Sequence, residues 1–213
     1  MTVGLLGRKV GMTQIFNAEG LAVPVTVVQL GANIVTEKLS KETHGYSAVQ
    51  IGGFEVVAKK LNKPAAGQFK KRDLPLLKPV KEFRIDDSSL YTVGEAIKAD
   101  SLFKEGMLVD VRGQSIGKGF QGTIKRHNHH RGPMAHGSKF HRSMGSIGAG
   151  TTPGRVYRGA SMPGRMGNQQ VCIRHLKVVR IDAEKGLLLV RGSVPGVEGQ
   201  LVTVTPSITK WNG

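Results

Sequence analysis

β-Branched and aliphatic residues recur in short runs near both ends of this chain and thin out between them. Ala22 to Leu30 (AVPVTVVQL) reads as a strand, with NIVTEKL and YSAVQIGGF as its successors, and Leu108 to Val111 adds another. Towards the other end, VCIRHLKVVRI, a turn over Asp182 to Gly186, and LLLVRG form a hairpin pattern, and QLVTVTP supplies a further strand. Many short strands divided by Gly and Pro predict a mainly β fold, closed into a barrel so that its edges are not left exposed. Two stretches predict short helices. One is the basic VVAKKLNKPAAGQFKKR (Val56 to Arg72), whose length Pro64 and Gly67 limit; the other is VGEAIKADSLF (Val93 to Phe103).

Charge changes this picture in the middle of the chain. Between Asp110 and Asp182 lie 71 residues with 13 Lys or Arg and no Asp or Glu, although the whole sequence holds 15 acids. Residues 1–112 carry 16 basic and 12 acidic side chains, residues 113–180 carry 12 and none, and residues 181–213 carry 3 and 3. No cation of the middle segment has an acid of its own segment to pair with, so compaction in isolation would suffer self-repulsion. The expected organisation is therefore a discontinuous barrel of residues 1–112 and 171–213, with a Gly-rich basic extension, irregular in structure, over residues 113–170. The same region between the two aspartates holds six of the seven His and many Gly, which suits a backbone passing close to a polyanion.

The 213 residues, 39% of them hydrophobic, are enough for a modest core. A formal charge of +16 favours a phosphate-bearing partner, nucleic acid or an anionic membrane. No run approaches the roughly 20 apolar residues that span a bilayer, and MTVGLLGRKVGM lacks the apolar stretch of a secretory signal, so a soluble intracellular protein is expected. The lone Cys172 excludes an intrachain disulfide and a Cys-based zinc cage, and reads as a small strand residue.

Several motifs lose their first reading. Gly117, Gly119 and Gly122 spell the dinucleotide fingerprint in GKGFQG, but TIKRHNHHRGP is a poor helix and the next acid is Asp182, so no cofactor is expected. His127, His129, His130, His136 and His141 have no carboxylate in their segment to complete a metal site, and no metal is expected. A hydrolytic triad lacks an acid to orient its His. The alternative of a basic enzyme cutting or modifying RNA meets the same shortage, because such chemistry uses carboxylates. Neither catalysis nor a small-molecule substrate is expected.

What remains is cations among small residues. Lys118, Lys125, Arg126, Arg131, Lys139, Arg142, Arg155, Arg158 and Arg165 are candidates for phosphate contacts, with the five His stacking on bases or donating to phosphate oxygens. Ile147, Val156, Tyr157 and the Met residues recur through the stretch, which argues for a segment that orders on RNA rather than a solvated tail. Gly145, Ser146, Ile147, Gly148, Ala149, Gly150 and Thr151 lie near its midpoint and would form the far end of an excursion.

These residues bear a family likeness. Phe103, Asp110, Gly113, Ser115, Gly117-Lys118-Gly119, Gly122 and Arg126 fill every fixed position of the signature of protein L-three of the large ribosomal subunit, bacterial or plastid type. GLLGRKVGMTQIF, RGPMAHGSKFHR, GSIGAGTTPGRV and LLLVRGSVPG also match, so that the chain resembles this family over essentially its whole length. The resemblance implies a translation-protein type β-barrel and a long loop whose tip, Gly145 to Thr151, approaches the peptidyl-transferase centre. It implies binding near the 3′ end of the large-subunit (23S-type) RNA, an early role in subunit assembly, and contacts with ribosomal proteins fourteen and nineteen. The setting it implies is a ribosome in the bacterial cytoplasm or plastid stroma. Two positions depart from relatives: Thr151 stands where some carry a methylated Gln, and His127 where many have Trp.

Overall fold

The computed structural model describes residues 3–208. By its contacts the chain divides into two compact units, one of Met1–Gln114 with Gln170–Gly213 and one of Ser115–Gln169. Residues 1–2 and 209–213, which the expected barrel domain includes, lie outside the described residues.

The first unit is built on a closed antiparallel barrel. Its strands are β1 (Leu5–Phe16), β2 (Ala22–Leu30), β6 (Leu108–Gln114), β9 (Gln170–Asp182), β10 (Leu187–Arg191) and β11 (Leu201–Pro206), in the order β1-β11-β6-β9-β10-β2. Pairing of β1 with β2 closes the ring. Neighbouring strands β6 and β9 are separated in sequence by the whole second unit, and Gln114 and Gln170 face each other in register at the exit point. A three-stranded sheet of β3 (Ile34–Leu39), β4 (Ala48–Glu55) and β5 (Leu77–Arg84), in that order, belongs to the same unit. One core of fully buried residues spans both sheets: Leu5, Leu6, Val28, Val109, Val111, Leu188 and Val204 from the barrel join Val35, Val49 and Ile51.

Asn33 ties strand β1 of the barrel to the chain just ahead of β3. Fully buried, it accepts from the Leu6 amide at 2.8 Å and donates to the Leu6 and Gly31 carbonyls at 3.1 and 2.9 Å. Its φ of 48° is in the left-handed region, where an Asn is tolerated better than most residues. Elsewhere in the barrel, the register of β6 and β9 shifts between Val109 and Val111. There His175, at φ 58°, donates its amide to Asp110 Oδ1 at 3.1 Å, and its Nδ1 lies 3.1 Å from Ser207 Oγ. This is a β-bulge held by a side chain.

Among the described residues four short α-helices form, rather than one or two: α1 (Lys41–His44), α2 (Lys63–Lys70), α3 (Ala99–Leu102) and α4 (Thr123–His127). The expected helix over Val56 to Arg72 is confined to a single 3₁₀ turn and α2, which starts where the Asn62 side chain accepts from the Ala65 amide and Pro64 occupies the first turn. The expected helix over Val93 to Phe103 is corrected to its last turn. Residues 94–97 run instead beside β3, with Gly94 N–H donating to Val35 O, Val35 N–H to Glu95 O and Ile97 N–H to Asn33 O. A helix there would forfeit that pairing. No helix among the described residues is long and apolar enough to cross a membrane.

Candidate nucleic-acid interface

The second unit begins and ends as a narrow antiparallel ladder. Ser115 donates its amide to Gln169 O and accepts from Asn168 N–H, while Lys118 N–H donates to Met166 O. Strands β7 (Gly119–Gln121) and β8 (Gly164–Met166) continue the pairing, with Phe120 opposite Arg165. Two glycines here make room for neighbours, and at Gly167 that neighbour is main chain. A Cβ on Gly167 would run into Ile116 O, and one on Gly164 into the Arg126 guanidinium.

Immediately after Gly122 the chain forms α4, ended by Asn128 at φ 58°. This corrects the reading of TIKRHNHHRGP as a poor helix, although its five residues stop well short of a dinucleotide-binding helix and no acid comes after it in the unit. The turn aims two side chains at one acceptor. Arg126 Nη1 donates to Met162 O at 2.8 Å, and His127 Nε2 lies 3.0 Å from the same carbonyl. The outgoing and returning arms are thereby clamped. A loop beyond is closed by Gly132 N–H donating to His141 O at 2.9 Å and by His141 Nδ1 at 2.9 Å from Pro133 O.

This unit has almost no interior. Thr123 is its sole buried residue, and none of its residues enters the hydrophobic core. Lys118, Lys125, Arg131, Lys139, Arg142, Arg155, Arg158 and Arg165 are all exposed, as are His130 and His136; Arg126, His127, His129 and His141 are half-buried. With no Asp or Glu in the unit, none of these cations has an ion pair within it. The His127 and His129 rings lie 5.9 Å apart, and no group of metal-ligating side chains occurs among the described residues. Every residue from Gly145 to Thr151 is exposed.

Three aromatic side chains extend the sequence-based set. Phe120, Phe140 and Tyr157 are 74%, 49% and 61% exposed, too open to be core and well placed as flat stacking surfaces. Arg155 lies over the Tyr157 ring at 5.2 Å, so cation and aromatic are presented together. Aromatic residues inside an acid-free stretch were the available signal.

The family signature divides between two jobs. Phe103, 1% exposed, fills the barrel core, Asp110 holds the β9 bulge, and Gly113 leaves room for Pro195 and Val202. Ser115, Gly117, Lys118, Gly119, Gly122 and Arg126 lie in the base of the second unit. Nearly the whole chain has known relatives. The model of the family described as Ribosomal protein L3 matches residues 80–187. Proteins named large ribosomal subunit protein uL3 are 56% identical in Trichormus variabilis and in a Nostoc species, each over 97% of this chain and 98% of the relative. The corresponding protein of Thermosynechococcus vestitus is 53% identical over 97% of both chains.

Proposed function

This chain belongs to the ribosomal protein L3 family, and we propose that as a structural, non-catalytic constituent of the large ribosomal subunit it uses its barrel as a platform and residues 113–170 as a probe buried in ribosomal RNA. One observation carries the reading: Ser115–Gln169 is a folded excursion with exposed cations and aromatics, no acid and no apolar core. Such a surface is stable in a polyanion and self-repelling without one. Lys118, Lys125, Arg131, Lys139, Arg142, Arg155, Arg158 and Arg165 would engage phosphates. His129, His130, His136 and His141 would add stacking and donor contacts, while Arg126 and His127 would brace the arms, Arg126 turning its remaining N–H donors to RNA.

The family likeness supports the finer assignment: binding near the 3′ end of the 23S-type RNA, early entry into assembly, the Gly145–Thr151 tip near the peptidyl-transferase centre, and proteins fourteen and nineteen as neighbours. Cyanobacterial relatives support a ribosome of the bacterial cytoplasm or plastid stroma. Sedimentation of cell extract tests the assignment, with the protein expected to co-migrate with large subunits at moderate salt. A free pool near 22.9 kDa would overturn it.

A further inference from the structure

All the cations assigned to RNA above lie in the second unit, yet the barrel unit contains a cationic cleft whose lining holds no acid among the described residues. Lys81 on β5 reaches across to β11 and donates its ammonium to Thr203 Oγ1 at 3.1 Å. Thr203 pairs in register with Arg112 on β6, so two cations from different strands converge on one patch of wall. Gln114, Gln170 and Gln200 complete a cavity of about 290 Å³, with Gln200 Nε2 3.3 Å from Gln114 Oε1.

The chemistry of this cleft is one-sided. Its lining offers an ammonium, a guanidinium and three carboxamides, and no carboxylate. Lys81 and Arg112 have no acidic partner among the described residues. Burial, and then the nearby Arg112, hold the Lys81 pKa below its ordinary value, the direction expected of a cation placed where its charge is not compensated. Arg112, Gln114 and Gln170 are exposed, so the cleft is open to a ligand arriving from solvent. Here Lys81 is tied to a hydroxyl on a buried Thr203 and keeps two N–H donors free of that bond.

We infer that this cleft, formed by Lys81, Arg112, Gln114, Gln170, Gln200 and Thr203, seats a phosphodiester of the ribosomal RNA and gives the barrel an anchor of its own. The inference rests on the RNA-binding reading and extends it to a site outside the acid-free unit. A phosphodiester suits the lining because it stays singly charged across the physiological range. Its two unesterified oxygens can take the planar fork of Arg112 on one side and the point charge of Lys81 on the other. The glutamines add neutral donors of the kind that position a nucleic-acid backbone without reading its sequence.

The experiment is a salt titration of full-length protein binding to a transcript of the 3′ part of the large-subunit RNA, comparing wild type with Lys81→Gln, Arg112→Gln and the double variant. Melting temperatures serve as the folding control, and Lys81→Arg as the charge-preserving one. The double variant should lower the log–log salt slope by about one, the single phosphate that the cleft seats, so that between 50 and 200 mM its binding weakens about three- to fourfold less than the wild type's. Lys81→Arg should keep the wild-type slope, and Lys81 acylation, read by mass spectrometry, should fall when RNA binds. A folded double variant with the wild-type slope overturns the anchor while a steep wild-type slope leaves the RNA-binding reading standing. The same result combined with failure to enter subunits would assign the cleft to a carboxylate of a neighbouring protein, which also overturns it. If wild-type binding itself shows no salt dependence, both readings fall.

Discussion

Arg126 and Met162, 36 residues apart, are joined by a 2.8 Å hydrogen bond from guanidinium Nη1 to the main-chain carbonyl, and Gly164 leaves the space the guanidinium occupies. Arg126 is therefore first a brace between the arms of the basic unit. Arg126→Ala should loosen the ladder beneath it, speeding hydrogen exchange of the Lys118 amide, which bonds to Met166 O, by roughly ten- to a hundredfold. Gly164→Val should do the same by displacing the guanidinium. Unchanged exchange in both variants would show that the clamp contributes nothing to the arms.

In the barrel, the corresponding single point of failure is Asn33. Asn33→Ala removes three hydrogen bonds, two of them buried, and puts alanine at φ 48°, and should cost about 3 kcal/mol, lowering the melting temperature by roughly 6–12 °C. Asn33→Asp keeps the acceptor for Leu6 N–H but loses both donors, so it also destabilises. Thermal melts followed by circular dichroism decide the size of each effect.

Strands with dense β-branched residues, such as Ala22–Leu30 and Leu201–Pro206, were legible in the sequence because their side chains build the core directly. Strand β1 was not, since Gly7, Arg8, Lys9 and Gly11 interrupt its apolar pattern and its register against β2 shifts between Lys9 and Gly11. Strand β5 was hidden by Pro79 and its alternating charges. It lies at the edge of its sheet, where proline is tolerated. In the basic unit, composition announced the partner, because missing acids are visible without geometry. The β7–β8 ladder and the Arg126 brace were not visible, since three-residue strands containing Gly carry no periodic signal.

Salt should govern affinity for RNA. If six or more of the exposed cations engage phosphates, raising salt from 50 to 200 mM should weaken binding roughly a thousandfold or more. Filter binding or fluorescence titration across that range measures the slope. A value corresponding to one or two ions would contradict multiple phosphate contacts by the basic unit.

Replacing residues 119–166 with a short Gly-Ser linker should leave a cooperatively melting barrel. None of those residues belongs to the hydrophobic core, and Gln114 and Gln170 already face each other across β6 and β9. The same deletion should abolish most of the salt-sensitive RNA affinity. A non-cooperative melt would mean that the basic unit supports the barrel after all.

The tip is best probed at Gly148. Unlike Gly145 and Gly150, with φ of 90° and 98°, Gly148 does not sit in the positive-φ region, and a Cβ there would meet only Arg155 O at 3.9 Å. Gly148→Trp should therefore fold normally and melt at the wild-type temperature, so any defect reports on what surrounds the tip in the subunit. If the barrel docks on RNA as proposed, incorporation into subunits should persist. An indole pushed into closely packed RNA should instead slow peptide-bond formation or alter sensitivity to drugs acting at the peptidyl-transferase centre. Purified, fully incorporated mutant subunits separate these effects, since incorporation is read by sedimentation and peptidyl transfer by product formation. Wild-type transfer and drug response would place the tip away from that centre, and the small residues from Gly145 to Thr151 would then be an ordinary exposed loop.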